Sequence, residues 1–248
     1  MAYITFQPSD YFNAKLYDGN GSTNAQTGVG FEPDLIWIKN RDGGGGSHDH
    51  YLFDQVRGVT KYVRSNVANA EGTASGVTAF DSDGFTLGSS DGMNENGRTF
   101  VSWNWKAGGS ASSNSDGSIT STVSANTTAG FSIVTYTGNG TSNDSATIGH
   151  GLGVTLDAII IKGRSHTANW IYGTSALGYN SRLQLNNTVA KADGTYAFGV
   201  SGVTPSATTF TVSASSGDNH TNASSNTYVA YCFAAKKGYS KFGSYEGN

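Results

Sequence analysis

The stretch "TFVSWNW" at residues 99–105 alternates strictly, with Phe100, Ser102 and Asn104 on one side of an extended chain and Val101, Trp103 and Trp105 on the other. A second stretch, "TYVAYCF" at 227–233, repeats the pattern, setting Tyr228, Ala230 and Cys232 against Val229, Tyr231 and Phe233. Period two with aromatic and β-branched residues is the mark of a half-buried strand. The larger apolar residues assign Val101, Trp103 and Trp105 to the core face, with Val229, Tyr231 and Phe233 as their counterparts.

Working outward from these two stretches, the repeat covers most of the chain. "YDGNGSTN" at 17–24 returns as "YTGNGTSN" at 136–143, and "YEGN" closes the sequence at 245–248. The marker residues are Tyr17, Gly19 and Asn20, then Tyr136, Gly138 and Asn139, then Tyr245, Gly247 and Asn248. "GVGFEPDLIWIKNR" at 28–41 matches "GHGLGVTLDAIIIKGR" at 149–164, placing Asp34 with Asp157, Lys39 with Lys162 and Arg41 with Arg164. "YLFD" at 51–54 aligns with "WIYG" at 170–173, and "DGFTLG" at 83–88 with "TTFTVS" at 208–213. Collinear matches in this order signal duplication. No window carries a sustained apolar period of 3.6 residues with caps. The expected fold is all-β: two tandem antiparallel sandwich or jelly-roll-like modules related by the internal repeat. The expected layout is an N-terminal extension at 1–10, a first module at 11–109, a Gly/Ser/Thr/Asn-rich linker at 110–128, and a second module at 129–237. Residues 238–248 read as the start of a third repeat or an attachment segment. The second half of the linker, around Ile119–Val123, has the composition to add an edge strand.

Composition supports this class and removes others. The 248 residues include 34 Gly and 3 Pro and are only 13% charged, a balance suited to short strands joined by tight turns. A net charge of −3 offers no footprint for nucleic acid. The lone Cys232 excludes an internal disulfide framework and a Cys-rich zinc site. "MAYITFQPSDYF" shows no signal peptide, and no apolar run approaches the ~20 residues of a membrane span.

Candidate chemistry is sparse. "DGGGGSHDH" at 42–50 lacks the Gly-Lys-Ser/Thr ending of a phosphate loop. His48, Asp49 and His50 have suitable side chains for a metal or polar ligand, but the sister module carries "SHTAN", so an exposed polar loop is the expected reading and no metal is assigned. "DSDG" at 81–84 resembles the start of a calcium loop, yet the twelfth position is Gly92 rather than Glu, so a turn is expected. Asp34 and Asp157 immediately precede core strands, which suggests a turn role. Cys232 reads as an inert core thiol. No Gly-X-Ser-X-Gly elbow is present, and no catalytic residue or cofactor is assigned. The tryptophans could stack a sugar. Trp37, Trp103 and Trp105 fall on apolar strand positions and read as core, leaving Trp170 and Tyr172 as candidate ligand-binding residues.

"GFEPDLIWIKNR", "LFDQVRG", "FDSDGFTLG" and "SWNWKAG", with "AGFSIVTYTGNG", "NTYVAYCFA" and "KFGSYEGN" in the second half, resemble a module common in tail-fibre and other virion proteins of marine and freshwater bacteriophages. The resemblance implies a structural virion protein: a fibre, spike or capsid-decorating appendage, made in the host cytoplasm without a signal peptide and presenting loops to a host surface. It implies a homo-oligomer, a trimer above all, contacting other virion proteins and with a host-surface glycan as candidate ligand. Neither nucleic-acid binding nor membrane insertion is expected. The alternative is a carbohydrate-binding, adhesive module of a bacterial surface protein.

Overall fold

The computed structural model describes residues 7–43, 49–194, 197–199, 202–214 and 220–245. The chain divides into two compact units, Met1–Val67 with Glu71–Ser110, and Ala68–Ala70 with Ala111–Asn248. Strands hold 40% of the residues and helix 3%, so the fold is all-β.

After a 3-10 turn at Pro8–Asp10, the first unit lays down β1 (Phe12–Asp18), β2 (Asn24–Thr27), β3 (Leu35–Asn40), β4 (Tyr51–Asp54), β5 (Lys61–Arg64), β6 (Gly72–Thr73), β7 (Val77–Asp81), β8 (Gly84–Leu87), the one-turn helix α1 (Asp91–Asn94) and β9 (Thr99–Trp105). The main sheet has the order β1-β9-β3-β4-β5-β6, and β2-β8-β7 forms the smaller sheet. Ile36, Ile38, Phe53 and Phe100 from the main sheet share a core with Phe85, Leu87 and Val77 from the smaller one. Burying each such side chain contributes about 1.5–3 kcal/mol, which makes this layer the main source of stability.

The second unit comprises β10 (Ser112–Asn114), β11 (Ser121–Asn126), β12 (Phe131–Thr137), β13 (Thr147–Gly149), β14 (Ala158–Gly163), β15 (Ile171–Thr174), β16 (Ser181–Gln184), β17 (Ala192–Asp193), β18 (Thr209–Thr211) and β19 (Thr227–Phe233). Its main sheet runs β10-β11-β12-β19-β14-β15-β16-β17, with β13-β18 as the smaller partner. Six strands in the order β12-β19-β14-β15-β16-β17 reproduce β1-β9-β3-β4-β5-β6, so "LIWIK" and "AIIIK" occupy the same place in their sheets. The duplication is therefore one of topology as well as of sequence.

Four expectations need correction. The first is which face of the repeated strand lies inward. Alternation holds, but Phe100, Ser102 and Asn104 are the buried set, while Val101, Trp103 and Trp105 are only half-buried on the opposite face. Asn104 tolerates burial because its amide donates to Asn13 O, at 3.1 Å, and to Ser102 Oγ, at 3.0 Å. In β19 the core takes Tyr228, Ala230 and Cys232. Tyr231 is also buried, on the other face, and Phe233 half-buried.

The second concerns the alignment of "YLFD". Leu35 pairs with Asp54, and Ala158 pairs with Thr174, so "YLFD" matches "IYGT" at 171–174 rather than "WIYG". One residue of slip moves every side chain to the other face. The corrected register sets Phe53 against Gly173, and a Cβ on Gly173 would lie 2.3 Å from the Phe198 ring, which fills that space.

Third, the linker at 110–128 is folded: the strand foreseen in its second half forms as β11, and β10 adds outside it, extending the second sheet beyond β12. Fourth, Trp170, read as a ligand residue, is 1% exposed. At the C-terminal segment, Tyr245 is 94% exposed, whereas Tyr17 and Tyr136 are buried; Gly247 and Asn248 lie outside the described residues.

Candidate functional site

The repeated Tyr-X-Gly-Asn phrase closes each unit around one buried asparagine. In the first unit Tyr17 donates its hydroxyl to Met93 O at 2.7 Å, and its ring stacks on Phe100 with centroids 5.2 Å apart. Gly19 N–H donates to Arg98 O, and a Cβ there would sit 2.1 Å from Glu95 O, so only glycine fits. Asn20 N–H donates to Asn94 Oδ1 at 3.0 Å, while Asn94 Nδ2 donates to Ser22 O, Gly88 O and Asn20 Oδ1. Asn94 is fully buried.

The second unit repeats the arrangement. Tyr136 donates to Thr221 O at 2.7 Å and stacks on Tyr228. Gly138 N–H donates to Asn226 O, and a Cβ there would meet Ala223 O at 2.4 Å. Asn139 N–H donates to Asn222 Oδ1 at 3.0 Å, and Asn222 Nδ2 reaches Asn139 Oδ1 and Thr141 O. Each buried amide satisfies backbone groups of a turn that would otherwise be orphaned. The phrase is a structural clamp.

The paired aspartates are likewise structural. Asp34 Oδ2 accepts from Ala107 N–H at 2.6 Å, and Asp157 Oδ2 from Ala235 N–H at 2.7 Å. Each carboxylate ties the chain leaving the last strand of its unit to the start of the strand that follows the aspartate. In "DSDG", Asp83 accepts from Gly28 N–H and Gly30 N–H with its two oxygens, so this carboxylate holds a turn.

The residues singled out for ligand binding do not converge. His48 lies outside the described residues. Asp49 pairs with Arg64 and accepts from Asn66 Nδ2 at 2.7 Å. Burial, helped by the Lys39 charge and opposed by Asp49, holds the His50 imidazole below its usual range. Among the described residues no group of three or more His, Cys, Asp or Glu could hold a metal ion. Tyr172 is half-buried in β15, and Trp170 is core. Burial also pushes the Cys232 thiol up, as expected of an inert core cysteine.

An aromatic strip stands in their place, on the outer face of the first unit's main sheet. Trp37 faces Trp103 across the ladder, rings edge to face at 6.2 Å. Phe12 and Leu35 flank Trp105, with the Phe12 ring 4.9 Å away. Along the row Val63, Leu52, Trp37, Trp103, Ala14, the side chains pass from buried through two half-buried tryptophans to exposed. Leu16, at the rim, is 60% exposed. Chemically this is a platform for apolar or stacking contact, with Lys39 at one corner.

A family described as "Domain of unknown function (DUF7483)" matches residues 7–248. The chain belongs to that family. Among curated proteins and among solved structures, nothing matches it. The DUF7483 match spans both units.

The clamp asparagines were missed in the sequence although a signal existed. Both Asn94 and Asn222 lie five residues before the Thr that opens the alternating stretch, at Thr99 and Thr227. Extending that alignment backwards would have paired them.

Proposed function

We propose that this DUF7483 chain is a structural component of a phage particle: a fibre, spike or capsid-decorating appendage that assembles as a homo-oligomer with other virion proteins and meets the host surface through its loops. The observation that carries this reading is how the duplicated polar residues are used. Tyr17, Asn20, Asn94 and Asp34, with their counterparts Tyr136, Asn139, Asn222 and Asp157, are engaged in holding strands and turns together. A duplicated module whose repeated residues are structural fits a building block better than a catalyst, and no enzymatic activity is assigned. The test is mass spectrometry and immunogold labelling of purified virions from the phage that encodes the chain. Stoichiometric presence on the particle supports the proposal, and absence from purified particles overturns it.

The outward tryptophans favour a second reading, a carbohydrate-binding module. Flat aromatic faces at Trp103 and Trp105 suit stacking against a pyranose. A glycan array probed with the wild type and with Trp103→Ala distinguishes the two: saturable binding lost in the variant favours this reading.

A further inference from the structure

We infer that the outer edge of β1 is a strand-pairing site for a second copy of the same chain, with β1 running antiparallel to its partner β1 about a two-fold axis. This contact is independent of where in a particle the protein sits, and it departs from the trimer that the phage-module resemblance implies.

The hydrogen-bond parity of β1 sets which groups face outward. Gly19 N–H donates to Arg98 O, and Lys106 N–H donates to Tyr11 O, so the odd-numbered residues exchange their bonds with β9. The N–H and C=O groups of Phe12, Ala14 and Leu16 therefore point away from the sheet. Among the described residues no strand pairs with that edge, and nothing hydrogen-bonds these six groups. Ala14 and Leu16 are exposed, Leu16 by 60%. Lys15 and Asp18 lie on this strand, but no proline or bulge interrupts it, and Leu16 stands exposed along it.

The second unit shows what this edge accepts. Its equivalent strand, β12, carries β11 in antiparallel register from Ser121 against Tyr136 to Asn126 against Phe131. There Ile133, the counterpart of Ala14, is fully buried, and Phe131, the counterpart of Phe12, is 1% exposed. The first sheet has six strands and the second eight, and the two extra strands, β11 and β10, lie on the edge that β1 leaves open.

Strand β1 is complementary to itself in this arrangement. With Ala14 on the axis, Ala14 faces Ala14 of the second copy and Leu16 faces Phe12. All three outward residues then sit in hydrogen-bonded pairs, and each exposed Leu16 gains an aromatic partner. On the other face Lys15 lies opposite Asn13, which avoids a direct like-charge pair. The small residue falls where the two backbones are closest to the axis. The aromatic strips of the two copies would become continuous.

The 248-residue chain in sedimentation velocity across the micromolar range should give a dimer. Leu16→Arg should weaken association at least ~10-fold by placing a charge against Phe12. Ala14→Pro should do the same, because the proline removes an outward N–H and leaves the β9 ladder intact. Circular dichroism and the melting temperature should remain close to wild type for Leu16→Arg, separating lost pairing from lost fold. Ala14→Cys should form a disulfide-linked dimer under mild oxidation, while Val59→Cys, on an exposed loop of the same unit, should not. Cys232 is buried and adds no background. A monomer at the highest concentration overturns the inference, since the edge is then left to another protein or to the chain's own first residues. A trimer, or a dimer indifferent to Leu16→Arg and without Ala14→Cys crosslinking, overturns it as well. None of these results bears on whether the protein is found in virions, so the two proposals fail separately.

Discussion

The two units share a plan and differ in how they finish it. Strand β12 is covered by β11 and contributes fully buried Ile133 and Val134, while β1 leaves Ala14 and Leu16 in solvent. The turn after β4 is held by an ion pair, Asp54 with Arg57 at 2.6 Å, both side chains fully buried, extended to Glu71 at 3.1 Å. The corresponding turn after β15 uses Thr174 and Leu177, with Leu177 N–H donating to Thr174 O. What stays constant is the asparagine clamp. The difference teaches which parts of the module are obligatory: a buried, fully bonded amide survives duplication, whereas edges and turns are free to change chemistry.

Breaking the constant part should have the largest effect. Asn94→Ala orphans Ser22 O, Gly88 O and Asn20 N–H together, and should cost on the order of 4–5 kcal/mol. Asn222→Ala should cost somewhat less, because its Nδ2 donates to Asn139 Oδ1 and Thr141 O, with no counterpart of the Gly88 bond. Hydrogen exchange resolves the two units: each variant should lose protection in its own unit first. Equal loss throughout the chain from either change would show that the clamps are not local devices.

The next test exchanges turn chemistry. Arg57→Leu alone takes from buried Asp54 its guanidinium partner, and should cost about 3–4 kcal/mol by urea unfolding. Adding Asp54→Thr, which installs the second unit's pair, should recover most of it, because Glu71 is 16% exposed and can be hydrated. Failure of the double variant to recover would mean that the two turns are not interchangeable.

Much of this was legible in the sequence. The all-β class, the duplication, the central position of β3 and β14 and the turn role of Asp34 all follow from period-two runs and collinear spacing. The errors have a common physical source. Trp103 and Trp105 were placed inward because hydrophobicity was taken as burial, yet Ser102 and the Asn104 amide bond each other inside, and the rings cover the outer face. Trp170 shows the converse: with the other tryptophans assigned to apolar strands it reads as a ligand residue, yet it is 1% exposed. Ser- and Thr-rich residues 110–128 looked like a linker because composition does not record that β12 offers an edge to pair with.

That correction makes the aromatic comparison quantitative. Tyr231→Ala, removing a ring 1% exposed, should cost about 3 kcal/mol, while Trp105→Ala, on the half-buried strip, should cost about 1–2 kcal/mol. The melting temperatures of the two variants, with Phe12→Ala as a third, measure the difference. Phe12→Ala and Trp105→Ala should be non-additive, because their rings touch.

The smallest expected effect separates the two latch aspartates by pH. Asp34 is 2% exposed, whereas Asp157 is half-buried. Burial, assisted by the nearby Glu32 charge and opposed by the Ala107 N–H bond, raises the Asp34 carboxyl from 3.8 to about 6. A carboxyl raised in the folded state binds its proton more tightly there than when unfolded. Its contribution is therefore fully present below about pH 3.8 and is lost as pH climbs through 6. Lowering pH from 7 to 5 should stabilise the wild type relative to Asp34→Asn by about 1 kcal/mol, read from urea midpoints of each protein at both values. The amide cannot titrate, so the variant should lack this component of the slope while keeping an oxygen to accept from Ala107. An unchanged difference between the two proteins across that window would mean that Asp34 is ionised throughout and that its buried carboxylate is better compensated than its contacts imply.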